Sequence, residues 1–176
     1  LGIHALDRDQ LARLLAGAQA APVAQEGLRK NGWRWRYTPP GERNRWGAYI
    51  VLLAKSGLRP SEALALTRGD VDWERDTVTV RHTLKTGLKG GGWKLEDPKT
   101  EESRRTVTLA PDVMLALRQH CDAQAAEVAT MTEEQRATYT DHGFLFAGRT
   151  GDPLDLKNLT ARHFKPLLKA AKLPAI

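Results

Sequence analysis

SGLRPSEALALTRGDVDWERDTVTVRHTL, residues 56–84, is the stretch that decides the fold. Gly57 suits the left-handed stop of one helix. Pro60 suits the first turn of the next, where its missing N–H would have no helical partner. Ala63, Leu64 and Leu66 give that second helix an apolar face. The period then changes. Val78 and Val80 alternate with Thr77, Thr79 and Arg81, which is the signature of a strand with one buried face. A helix corner that runs directly into a strand points to an α+β chain.

Reading outward toward the N-terminus, Asp7 with Gln10 three residues later predicts a helix start. Leu11, Leu14, Leu15 and Ala18 lie on one stripe of that helix. Residues 44–56 predict a second helix through Trp46, Tyr49, Ile50 and Leu53. Between the two, residues 28–45 break the pattern. Arg29, Lys30, Arg34, Arg36, Arg43 and Arg45 interleave with Trp33, Trp35 and Tyr37, punctuated by Pro39-Pro40-Gly41. This stretch reads as a loop or short irregular excursion.

Toward the C-terminus, Trp93 with Leu95 and Val107 with Leu109 read as two further strands, with a flexible turn over 87–92. Three short strands in succession predict an antiparallel meander. After Pro111, the positions Val113, Met114, Leu117, Cys121 and Val128 recur at helical spacing. A last helix is expected from near Asp155, with Leu156, Leu159, Phe164, Leu167 and Leu168 facing inward. The expected fold is therefore α+β and mostly α: a helical domain with a small three-stranded antiparallel β-sheet.

The 176 residues suffice for one domain, and 41% hydrophobic with 27% charged residues fits a globular chain. Lys and Arg number 27 against 21 Asp and Glu, a net charge of +6 that favours an anionic partner, nucleic acid ahead of a membrane surface. No apolar run approaches the ~18 residues a spanning helix needs, so no membrane is expected as a partner. A single cysteine, Cys121, excludes an intramolecular disulfide and a multi-cysteine zinc site, and a reduced cytoplasmic compartment is the default. His4, His82, His120 and His142 lack metal-ligand spacing, and His163 reads as a packed histidine. The Gly90-Gly91-Gly92 run lacks the ending of a phosphate loop and reads as a hairpin tip. A chain that begins at Leu1 reads as a fragment.

Two constellations carry chemistry. Arg59 sits between Gly57 and Pro60, at a corner pinned by two helices, where a guanidinium is well placed to clamp a phosphate. Glu62, one turn on, can orient it; an interhelical turn with a surface Arg–Glu pair accounts for the same residues. Lys99, in Pro98-Lys99-Thr100, falls between the strand ending near Glu96 and the one starting near Arg104. It can act as a proton donor or a phosphate contact, or stay solvated. Cations clustered in 28–45 and 85–105, among them Arg34, Arg36, Lys85, Lys89, Arg104 and Arg105, are the candidate nucleic-acid contacts.

Taken together, residues 56–84, PKTEESRRTVTL (98–109) and HGFLFAGRTGDPLDLKNLTARHFKPLLKAAKLP (142–174) resemble the catalytic domain of the tyrosine recombinase, or phage integrase, family. Residues 21–43 look like an insertion. The resemblance implies site-specific cleavage and rejoining of double-stranded DNA through a phosphotyrosyl link, with several copies assembled on DNA and no cofactor. It implies that Arg59 matches the family's first arginine, Glu62 its supporting acid, and Lys99 the turn lysine that protonates the departing 5′ oxygen. The family continues with a His-x-x-Arg segment and a nucleophilic tyrosine. Tyr37, Tyr49 and Tyr139 all lie upstream of that position, so residues 1–176 are expected to be a partial catalytic domain, inactive alone. A non-catalytic DNA-binding module and an RNA-binding role for the basic aromatic stretch are the competing readings.

Overall fold

The computed structural model describes residues 6–19, 25–28, 34–37, 46–89, 91–97 and 104–174. Helix α1 (Arg8–Gln19) opens as its sequence predicts. The Gln10 N–H donates to Asp7 Oδ1 at 2.8 Å, and the Asp7 N–H donates back to Gln10 Oε1 at 3.0 Å. Leu14 and Ala18 are buried, with Leu15 packed against the core beside them. Helix α2 (Gly47–Ser56) buries Tyr49, Ile50, Val51 and Leu52 in succession, because α1 and the helices Pro60–Ala65 and Pro111–Ala129 surround it. Gly57 ends α2 with φ of 68°, and α3 (Pro60–Ala65) starts after an extended Arg59. The two-helix corner is as read from the sequence.

A 3₁₀ turn, Arg68–Asp70, follows. The Asp70 carboxylate is buried and accepts the Thr67 N–H at 2.9 Å and the Thr67 hydroxyl at 2.7 Å; Arg81 lies 3.0 Å from its other oxygen. Arg68-Gly69-Asp70 is thus a structural turn. Strands β3 (Val71–Asp72) and β4 (Thr77–Val80) follow it, and Val78 and Val80 point into the core.

The sheet differs from the expected meander. Its three strands run in the order β3-β4-β7, with β7 spanning Arg105–Thr108 and pairing Val107 against Val78. Strands β5 (Thr83–Thr86) and β6 (Trp93–Glu96) form a separate antiparallel hairpin. The strand at Trp93 therefore belongs to an excursion between β4 and β7. The excursion was hidden because β5, which packs on α3, carries one apolar residue, Leu84, while Trp93 and Leu95 of β6 supply the rest of the hairpin's core contacts. The basic aromatic stretch is also more regular than expected: β1 (Gln25–Leu28) pairs with β2 (Arg34–Tyr37). Arg-Trp-Arg-Tyr does alternate with period two, but its cations masked the pattern. Residues 44–45, expected in α2, lie outside the described residues.

Helix α4 (Pro111–Ala129) buries Val113, Met114 and Leu117 as expected, but its buried stripe then runs through His120 and Gln124 instead of Cys121 and Val128. The reason is polar. His120 Nε2 lies 3.0 Å from the Leu145 carbonyl, and Gln124 bonds the Phe144 carbonyl and the Ala147 N–H, each at 3.3 Å. These contacts hold the fully buried Phe144–Ala147 segment, which has no strand on that side to satisfy its backbone. A short helix, α5 (Glu133–Ala137), precedes it. Helix α6 (Leu156–Leu159) is capped by Asp155 and widens into a π turn, Thr160–Phe164, before α7 (Lys165–Ala170). Pro166 cannot donate to the preceding turn, which accounts for the widening. His163, in that turn, is half-buried and packs on Trp46 at 4.7 Å. Among the described residues, no helix is long and apolar enough to cross a membrane.

Two glycines with positive φ separate two costs. At Gly57 an added Cβ meets nothing within 4 Å, whereas at Gly151 (φ 86°) it would lie 1.8 Å from the Thr140 carbonyl oxygen. Gly57→Ala is expected to destabilise by ~1–2 kcal/mol, the left-handed penalty alone. Gly151→Ala adds overpacking against backbone and should cost ~3–4 kcal/mol. Urea unfolding of the two variants checks the ordering.

Candidate active site

The α2–α3 corner builds the site. Leu58 is buried under it, so the residue after it is fixed by packing as well as by Gly57 and Pro60. Glu62 occupies the first turn of α3 with its side chain 1% exposed. A carboxylate so buried must have its lone pairs filled or its charge removed. Four donors fill them. Oε2 accepts the Arg59 backbone N–H at 2.9 Å and Arg105 Nη2 at 2.8 Å. Oε1 accepts Arg59 Nη1 and Arg105 Nη1, each at 3.3 Å. Burial pushes the Glu62 carboxyl up, but the Arg105 side chain, the Arg59 backbone N–H and the two positive charges together hold it below the usual glutamate range. The hydrogen bond to Glu62 in turn raises Arg105.

The two arginines are held unequally. Arg105 grips both carboxylate oxygens and its side chain is 36% exposed. Arg59 touches Glu62 through one long side-chain contact, and its side chain is 73% exposed. Its guanidinium therefore projects from the corner with most of its donors toward solvent.

The structure brings together Arg59 and Glu62, as the sequence reading has them, and adds Arg105, expected there only as a DNA contact. A signal for this was present: in Arg105-Thr106-Val107-Thr108 the arginine shares the inward register of Val107, which calls for a buried acid. Lys99 lies outside the described residues, in the connection between the end of β6 at Glu96 and the start of β7 at Arg105. At the base of that connection, Arg104 Nη2 and His82 Nδ1 each lie 3.4 Å from Asp97.

The remaining cations are spread along the hairpin. Lys85 and Lys94 both reach Glu96, at 2.6 Å each, and the Lys85 hydrogen bond followed by the Lys94 bond holds Glu96 below its usual range. Lys89 is exposed near the tip. The hairpin is tied down by Trp93, whose Nε1 donates to Asp152 at 2.9 Å and whose ring meets Phe144 edge-on at 5.0 Å. Arg34 and Arg36 are on β2, and their side chains lie outside what is described. Tyr49 is buried, and its hydroxyl donates to the Pro60 carbonyl at 3.2 Å; burial pushes its phenol far above the ordinary value. It is a core residue. Among the described residues, no cluster of His, Cys, Asp and Glu could hold a metal ion.

The unequal grip has a measurable consequence. Glu62→Ala removes a buried acceptor of four donors, but Arg105 and Arg59 can rehydrate, so the expected loss is ~1–3 kcal/mol, below that of a fully buried pair. Arg59→Ala, at an exposed side chain, should change stability by less than ~0.5 kcal/mol. Chemical denaturation of both variants tests this difference.

The sequence pattern of the Phage integrase family matches residues 6–174. An integrase of Streptomyces ambofaciens is 28% identical over 178 positions, covering 96% of this chain and 43% of that protein. A XerC-like tyrosine recombinase of Caldanaerobacter subterraneus is 27% identical over 138 positions, covering 74% of this chain and 35% of that protein. Among solved structures, the Tn1549 transposon integrase in complex with a circular intermediate DNA superposes with a TM-score of 0.66 at 20% identity, over 98% of this chain and 46% of that one. The XerA recombinase does so at 0.60, with 20% identity, over 98% and 43%. The chain thus spans less than half the length of these relatives. A match that runs almost from end to end, over a fold that agrees, places the chain in the Phage integrase family.

Proposed function

We propose that residues 1–176 are part of the catalytic domain of a site-specific DNA recombinase acting in the cytoplasm, and that Arg59 and Lys99 serve its phosphoryl-transfer step. The observation that carries this is the exposed Arg59 guanidinium on a rigid corner, held from below by a buried carboxylate that is itself neutralised. Such a group suits a phosphodiester, because its planar donors match two phosphate oxygens and its charge never leaves.

In the proposed step, the phenol oxygen of a tyrosine of the full-length protein bonds to the scissile phosphorus as its proton passes to solvent, and the bond to the 5′ oxygen breaks. Negative charge builds on the non-bridging oxygens as the phosphorane forms, and Arg59 lowers its cost. The departing oxygen leaves as an alkoxide unless a proton reaches it. Lys99, between β6 and β7, is the proposed donor. The phosphotyrosyl bond conserves the energy of the broken one, so no nucleotide cofactor is required. Integrase–DNA complexes among the fold's relatives, and the positive net charge here, support double-stranded DNA as partner. Several copies assembled on the DNA belong to the same proposal, and residues 1–176 alone, with Tyr49 in the core, are proposed to be inactive.

The test uses the full-length protein on two substrates, ordinary DNA and DNA with sulfur at the bridging 5′ position. A thiolate departs without a proton, since a thiol's pKa is near ~8.5. Lys99→Ala should slow cleavage of ordinary DNA by roughly 10²–10⁴-fold and leave the sulfur substrate near the parent rate. Arg59→Ala should be slow on both. Lys99→Ala without sulfur rescue overturns the donor assignment, and a fully active Arg59→Ala overturns the clamp.

A further inference from the structure

Arg105 is the strongest partner of Glu62, yet the proposed chemistry gives it no task. It reaches both oxygens, at 2.8 and 3.3 Å, while the Arg59 side chain makes one contact at 3.3 Å. Three charges therefore share one corner: two guanidiniums and one carboxylate, summing to +1. Without Arg105 the sum is zero. The Glu62 carboxylate, 1% exposed, would then have two open lone-pair sites and, among the described residues, Arg59 as its remaining cation. With that positive charge gone, the buried carboxylate would pull harder on Arg59 and draw its guanidinium down. Its donors would turn from the exposed side toward Glu62, and a phosphate there would meet a neutral pair.

We propose that Arg105 is a positioning residue that neutralises Glu62 from β7 and so leaves the Arg59 guanidinium extended and net positive for the phosphate. This rests on the reading of Arg59 as the phosphate ligand. It assigns to Arg105 a role other than contact with DNA. It also explains why an arginine occupies the inward register of a sheet strand, where an apolar residue would otherwise pack beside Val107. Among the described residues, Lys85, on the strand that packs against α3, is paired with Glu96, and Arg104 with Asp97.

The experiment is a suppressor test in the full-length protein, scored as the rate of covalent protein–DNA product on a nicked duplex carrying its own site. Arg105→Gln should slow cleavage by roughly 10–10²-fold, on ordinary and bridging-sulfur DNA alike. Adding Glu62→Gln removes the uncompensated charge, keeps a hydrogen-bonding side chain at the helix start, and restores a corner charge of +1. The double variant should recover most of the lost rate, although it differs more from the parent. Because both partners become neutral, it should also melt no lower than Arg105→Gln. Arg105→Lys, which keeps a cation on Glu62, should fall between the parent and Arg105→Gln and serves if Arg105→Gln does not fold. A double variant no faster than Arg105→Gln overturns the inference, since neither a direct phosphate contact nor a simple packing role is repaired by neutralising Glu62. If Arg59→Ala cleaves normally, the phosphate-clamp reading itself has failed, a result separable from failed suppression.

Discussion

A carboxylate that cannot reach water organises this molecule. Glu62 sits in the first turn of α3 with two hydrogen bonds to each oxygen, and the three groups that donate them commit different parts of the chain. The Arg59 N–H fixes the entry into the helix, the Arg59 side chain marks the exposed corner, and Arg105 brings in the sheet. The last of these is the long-range constraint. It joins residues 43 positions apart and anchors β7 to the helical layer beside the connection that carries Lys99. A buried charge is a poor source of stability for its size, but it has few alternative arrangements. That makes it suited to holding a corner in one geometry.

The same economy of polar anchoring recurs away from the site. His120 and Gln124 of α4 satisfy the backbone of Phe144–Ala147, allowing an irregular segment to lie fully buried beside Tyr49 and its edge-on partner Phe146 at 5.4 Å. Trp93 fastens the β5–β6 hairpin to Asp152, whose carboxyl is held low first by that bond and then by the Thr150 hydroxyl. Positive charge on the hairpin is partly spent internally, since Lys85 and Lys94 share Glu96. The net +6 therefore overstates what the hairpin alone offers to an anion.

The corner itself was legible in the sequence, because Gly57, Pro60 and the apolar run after Glu62 are local signals with local causes. Arg59 and Glu62 followed from it. The pairing of β4 with β7 was not legible, since the strand at Trp93 reads as the neighbour of β4 and only the long-range register shows that it pairs with β5 instead. Arg105 was visible as a cation, but its role depended on a contact that sequence proximity does not reveal. The polar stripe of α4 was missed for a related reason: His120 and Gln124 count as polar until the backbone they satisfy is known. Arg105, His120 and Gln124 share one cause: each is placed by a long-range hydrogen bond.

Glu62 is a buried, ionised carboxylate whose charge is balanced chiefly by Arg105. A carbon-13 carboxyl NMR titration of the intact chain measures it directly. Glu62 should titrate below the ordinary glutamate range in the parent and move upward in Arg105→Gln. A Glu62 that titrates at or above the ordinary value in the parent, or that is indifferent to Arg105, would contradict the account.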